Sequence, residues 1–258
     1  MPTCVRGREP VPGGTAYLVS GQSDLHPEHR RRWLIRTLVA VTVALGAIAG
    51  GPWLYARYLA PDPAEPLALS TPDPAASAAP QVDEIHEVDG TWTVVDGSEA
   101  GYRLGEVLSG EQVTVVGRTD QVTGGVVLEE GSLLEAEVVV DVASIVTDES
   151  ARDAYFRRAL DTTTHPEATF EVTDPVDLSA LEGVTESVTV EALGTLTFHG
   201  VARPATAVLE VQPTGQDQVE VAGQIAVTLE DFDLTAPDLG FVTVEPTATV
   251  EMLLVLSR

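Results

Sequence analysis

Lysine is absent from this 258-residue chain. All fourteen basic residues are arginine, against forty acidic ones, for a formal net charge of -26. A field of that sign repels phosphate backbones, so nucleic acid is excluded as a partner. Cysteine is nearly absent too. The single one, Cys4, lies upstream of the apolar run described below. It cannot form an internal disulfide, and it stands on the wrong side of that run for a lipoprotein signal. The folded part of the chain must therefore do without covalent staples, and it needs a sheet large enough to bury its own core. Aromatic residues make up only 5% of the chain. There is no Rossmann fingerprint, no P-loop, no G-x-S-x-G elbow and no HxH or HExxH pair. Ser150, Asp153 and His165 form a hydrolytic trio by residue type alone, and geometry is what makes a triad. The expectation is a non-enzyme with no metal site and no required cofactor.

What the chain does have begins with "RRRWLIRTLVAVTVALGAIAGGPWLYARYLA". Thr37 to Ala56 carries no charge, and as a helix that run spans about 30 Å, the thickness of a bilayer core. Arg30, Arg31, Arg32 and Arg36 precede it, while Asp62, Glu65 and Asp73 follow. The positive-inside rule then puts the N-terminus in the cytoplasm and the remainder outside. A cleaved signal peptide and a buried helix are the competing readings; the long N-terminal region argues for an uncleaved anchor. The expected organisation is a disordered cytoplasmic tail (1–32), a single transmembrane anchor (33–58), a Pro/Ala-rich extracytoplasmic stalk (59–87) and a β domain (88–258). Proline favours extended chain, so the stalk reads as a spacer holding the domain off the bilayer.

Within 88–258 the hydrophobic period is two. Leu134, Ala136, Val138, Val140 and Val142 share one face of a strand; Val188, Val190, Ala192, Leu196 and Phe198 share another. Val219, Val221, Ile225, Val227 and Leu229 form a third face, and Ala248 to Leu256 a fourth. Such alternation marks strands with one wet side. Weaker strands are expected at 92–95, 100–107, 112–117, 125–129, 168–174 and 206–212. One amphipathic helix is expected over 149–160, capped by Thr147, with Tyr155, Phe156 and Leu160 for burial. Pro166 stops that helix from continuing. About eight or more antiparallel strands suggest a barrel, which has no exposed edges and has room for a small ligand. A two-sheet sandwich with a solid core fits the same pattern.

The segments "VDVASIVTDESARDAYFRRALDTTTHPEATFEVTDPV" and "ALGTLTFHGVARPATAVLEV" resemble the YceI-like family of bacterial exported polyisoprenoid-binding proteins. Arg152, Asp153, Pro166 and Phe170 match the family's helix and the strand after it. Leu196, Thr197, His199, Gly200 and Pro204 match its strand–turn–strand motif. The resemblance runs from "GTWTVVDG" to "TVEMLLVL". It implies an all-β, extended, lipocalin-like antiparallel barrel of about eight strands with one short helix, around an apolar tunnel for an isoprenoid lipid or quinone. It implies a lipid ligand as partner, with the membrane reached through the anchor; the sequence names no protein partner. On that reading Phe170, Val190, Leu196, Phe198, Val227 and Leu229 line the tunnel, whereas a solid core would use the same side chains for packing. Arg152, Asp153, His165 and His199 are the rim or structural polar residues. His199 is expected in a tight turn before Gly200 with its ring hydrogen-bonded, and His165 in the helix-to-strand turn.

Overall fold

The computed structural model describes residues 36–41, 62–70, 88–181, 186–215 and 217–258. Residues 36–41, in a unit separate from the β domain, are helical. Most of the apolar run at 37–56 lies outside the described residues. Among the described residues no helix is long and apolar enough to cross a membrane.

The β domain contains β1 (Gly90–Val94), β2 (Glu99–Leu108), β3 (Glu111–Thr119), β4 (Val122–Glu129), β5 (Ser132–Asp141), β6 (Glu167–Val172), β7 (Val176–Asp177), β8 (Val188–Phe198), β9 (Val201–Gly215), β10 (Gln218–Thr228) and β11 (Val242–Ser257). One helix, α1 (Ser150–Ala159), joins β5 to β6. Every strand pairing is antiparallel. The ladder runs β1-β4-β5-β6-β8-β9-β10-β11 and returns to β1 through Thr93↔Ser257 and Val94↔Leu256. Eight strands thus close a barrel, so the sandwich alternative is set aside. β2 and β3 continue the wall beyond β11.

Local chemistry fixes the turns. Ser109–Gly110, Glu130–Gly131 and His199–Gly200 all have positive φ at both residues. That is the backbone of a two-residue hairpin whose twist matches the flanking strands. Between β1 and β2 the ladder breaks at Gly97. There the Ser98 hydroxyl donates to Val95 O at 2.8 Å and accepts from Val255 N at 2.9 Å, so the interrupted backbone stays satisfied. β11 loses register with β2 between Val244 and Ala248, a stretch containing Pro246, which has no N–H to give.

The inward faces of β8, β10 and β11 follow the sequence alternation: Ala192, Leu196, Ile225, Met252 and Leu254 are buried. β5 departs from it. A register shift beside Leu128 pairs that residue with Leu133, so Leu133 points inward and Leu134 is exposed. One extra residue in a ladder exchanges the faces that follow it. The helix also begins differently from expectation. Its N-cap is Glu149, whose carboxylate accepts from Ala151 N, while Thr147 donates its hydroxyl and amide to buried Asp153. Leu160 is buried, but Tyr155 faces out.

Asp62–Ser70 falls inside the expected spacer, yet it lies along the barrel wall. Glu251, on the outer face of β11, accepts from Leu67 N at 3.1 Å and pairs with Arg103 at 2.5 Å and Arg118 at 3.4 Å. Arg103 and Arg118 in turn donate to the carbonyls of Ala64 and Glu65. Ser70 donates its amide and hydroxyl to Glu220 at 2.9 and 2.7 Å. Roofed by this strap, Glu251 is only 2% exposed.

Candidate functional site

The barrel interior holds two chambers along its axis. The wider has a volume of about 580 Å³. Leu104 and Leu108 of β2, Leu196 and Phe198 of β8, and Ala248 and Val250 of β11 are among the side chains that line it. α1 forms one side of its mouth through Arg152, Tyr155 and Phe156, and the loop before β11 forms another through Leu239 and Phe241. The narrower chamber, about 80 Å³, is walled by Val88, Trp92, Leu128, Val190, Leu209 and Leu254, among others. Between the two, fully buried Ala192, Ala207 and Ile225 lie in one cross-strand register and form a girdle.

The far end is shut. Trp92 donates its indole N–H to Val88 O at 2.9 Å, and the Arg258 guanidinium sits 4.9 Å from the Trp92 ring centroid. The other end is different, because β3 does not reach β6. One bridge, Arg118↔Val146, and the packing of α1 fill that gap. Tyr102 on the inner face of β2 stacks on Phe156 with ring centroids 4.9 Å apart. A side chain at Gly117 would strike Tyr102, its Cβ falling 2.6 Å from that ring, so glycine makes the space. Burial pushes the Tyr102 phenol far above its ordinary value, opposed by the nearby Arg152 charge.

Polar groups at the mouth are few and mutually engaged. Glu106 faces inward on β2 and is buried; Arg152 lies 3.6 Å from it and 2.5 Å from Asp148. Glu149 spends its carboxylate on the helix N-terminus. The strong field of a buried carboxylate is thereby balanced at the wall rather than left facing the cavity.

The expected lining residues divide between the chambers. Leu196, Phe198, Val227 and Leu229 face the wide one, Phe170 and Val190 the narrow one. Phe170 and Leu196 are direct cross-strand partners. The Phe170 ring lies against the backbone of Gly194, where an added Cβ would come within 2.5 Å of it. Of the expected polar residues, Arg152 reaches the mouth. Asp153 instead holds the turn before α1. His199 makes the turn with Gly200 and its Nδ1 lies 3.0 Å from Phe232 O. His165 packs edge-on to His199 with centroids 5.6 Å apart. Among the described residues no group of His, Cys, Asp and Glu is placed to hold a metal ion. The sequence reading missed Tyr102 and Glu106. The signal was available: Ala100, Tyr102, Leu104, Glu106 and Leu108 alternate on one face, and a carboxylate in that row must point into the barrel.

Comparison with known proteins agrees with this architecture. A YceI-like domain family model matches residues 78–256. A UPF0312 protein of Vibrio parahaemolyticus is 28% identical over 129 residues, covering 46% of this chain and 65% of the relative. A UPF0312 protein of Vibrio campbellii is 30% identical over 130 residues with the same coverage. The chain thus spans 65% of the length of each of these relatives. A solved polyisoprenoid binding domain from Saccharophagus degradans superposes with a TM-score of 0.54 at 25% identity, over 65% of this chain and 98% of that one. A closed barrel with this strand order, matched by the family model over well more than half of its length, makes this chain a member of the YceI-like family.

Proposed function

We propose that the domain binds, without chemistry, an amphiphilic lipid with a long isoprenoid tail, outside the cytoplasmic membrane. The carrying observation is the wide apolar chamber, about 580 Å³ in volume and open at the α1 end. That volume is within the range of about 300–1,000 Å³ typical of ligand sites. A tail entering it leaves water, which contributes about 0.8 kcal/mol per methylene. The polyisoprenoid-binding description of the Saccharophagus relative supports the tail class.

The head is uncharged, an alcohol or a quinone. Arg152 is the one cation lining the chamber, and Glu106 and Asp148 already occupy it. A diphosphate would meet Glu106 and Glu149 with no unengaged cation among the lining residues. The arginines before Thr37 and the acids after Arg57 support an anchored protein with its N-terminus in the cytoplasm.

The test is to purify the full chain from its own membranes, extract bound lipid and identify it by mass spectrometry. An uncharged isoprenoid should be found, and Leu196→Glu should abolish it while the β-sheet circular dichroism is kept. A wild-type chain that carries no such lipid, and takes up neither an isoprenoid alcohol nor a quinone, overturns the proposal.

A further inference from the structure

Three large apolar side chains stand exposed around the chamber mouth. Tyr155 on α1 is 44% exposed, and Leu239 and Phe241 on the facing loop are 59% and 56% exposed. All three also line the chamber, so two sides of its mouth carry an exposed apolar lip. Isolated exposed apolar side chains need no explanation, but several around one opening do. The backbone of the lip is held in place: Ser109 N donates to Phe241 O at 2.7 Å and Leu239 N to Val242 O at 2.8 Å. In the last turn of α1 stand Arg157 and Arg158, which make no ion pair among the described residues. In a chain of net charge -26, two successive arginines without an ion pair on the helix that carries Tyr155 are a local exception.

The strap shows which part of the barrel wall its upstream end approaches. Ser70 meets Glu220, which is level with Val255 on β11; Leu67 meets Glu251; Ala64 meets Arg103, which is level with Thr249. Followed backwards from Ser70, the chain therefore travels along the wall towards the half of β11 that lines the wide chamber. In the sequence, Arg57 lies five positions before Asp62. Five residues reach at most about 18 Å, even fully extended. The apolar run ends at Ala56.

From these observations we infer that the barrel docks mouth-down on the bilayer that holds its own anchor, with Tyr155, Leu239 and Phe241 entering the interface and Arg157 and Arg158 meeting lipid phosphates. This rests on the anchored, lipid-binding reading above. It adds a docking surface and a direction of transfer, straight between bilayer and chamber. Aromatic and aliphatic side chains beside arginine are the composition of membrane-interface surfaces.

The test uses the full chain in phosphatidylethanolamine–phosphatidylglycerol vesicles containing a spin-labelled quencher lipid. In a Cys4→Ser background, bimane is placed through Leu239→Cys at the lip, through Phe241→Cys as a second lip position, or through Leu134→Cys, exposed at the far end. Quenching several-fold stronger at both lip positions than at the far end is expected, and the double substitution Arg157→Glu, Arg158→Glu should reduce it. Equal quenching at all three positions, stronger quenching at the far end, or a chain that does not float with the vesicles overturns the docking. Bound lipid is assayed on the same samples. Lipid present with equal quenching removes the docking and leaves the binding reading intact; lip quenching without lipid does the reverse.

Discussion

Replacing Glu251 by alanine tests whether the strap is part of the fold. The carboxylate receives two arginines and the Leu67 amide, and it is nearly sealed from water. Removing one partner of a buried ion pair costs about 3–5 kcal/mol, mostly because the remaining charge is left uncompensated. Here the arginine side chains keep 21% and 26% of their exposure, so water relieves part of that cost. Discounting for this screening leaves about 2–3 kcal/mol. For a domain of this size that lowers the melting temperature by about 4–12 °C. Glu251→Gln retains an acceptor for Leu67 and should fall between the wild type and Glu251→Ala. Melting followed by circular dichroism gives the first readout. Amide exchange at Leu67 gives the second and should speed up in Glu251→Ala ahead of exchange in β10 and β11. A melting point within about 1 °C of wild type, with Leu67 exchange unchanged, would refute the reasoning, because a buried charge cannot lose its partner at no cost.

Other outcomes follow from the same geometry. Gly200→Ala places a Cβ 2.5 Å from the His165 ring at φ +74°, and should destabilise by about 1–3 kcal/mol in urea titration. Asp153→Ala strips Thr147 of its acceptor and should cost about 1–3 kcal/mol, with faster amide exchange through α1. The raised Tyr102 phenol ionises first in the unfolded chain. Its contribution to stability is therefore complete below the ordinary value of 10.0 and is lost as pH climbs beyond it. Tyr102→Phe should remove that alkaline loss, seen by comparing pH-dependent melting of the two proteins.

The barrel was legible wherever one face of a strand is dry along its whole length. β8, β10 and β11 are such strands, and their alternation places Leu196, Ile225 and Met252 inward. Where a bulge shifts the ladder, as beside Leu128, period two misplaces Leu134, because alternation carries no mark of an inserted residue. Barrel closure rests on Thr93↔Ser257 and Val94↔Leu256, pairings between distant ends that no local pattern encodes. The candidate site was half visible. Its apolar lining follows from periodicity, but its division at Ala192, Ala207 and Ile225 depends on cross-strand register. The strap was hidden for a different reason. A Pro/Ala-rich stretch looks like solvated spacer, and what holds Asp62–Ser70 down is Glu251, which reads as an ordinary wet-face carboxylate until the chain folds over it.

The unlike ends of the barrel give it two very different opening free energies. At the far end, separation means breaking backbone ladder along β1, β4 and β11. At the α1 end, it means unstacking Tyr102 from Phe156 and parting Arg152 from Glu106, both side-chain contacts, with a single backbone bridge, Arg118↔Val146, beside them. Units held by side chains open far below the global unfolding free energy. On the proposed reading, release of a bound tail depends on the α1 end and its ten-residue helix, and it varies independently of how hard the barrel itself is to melt.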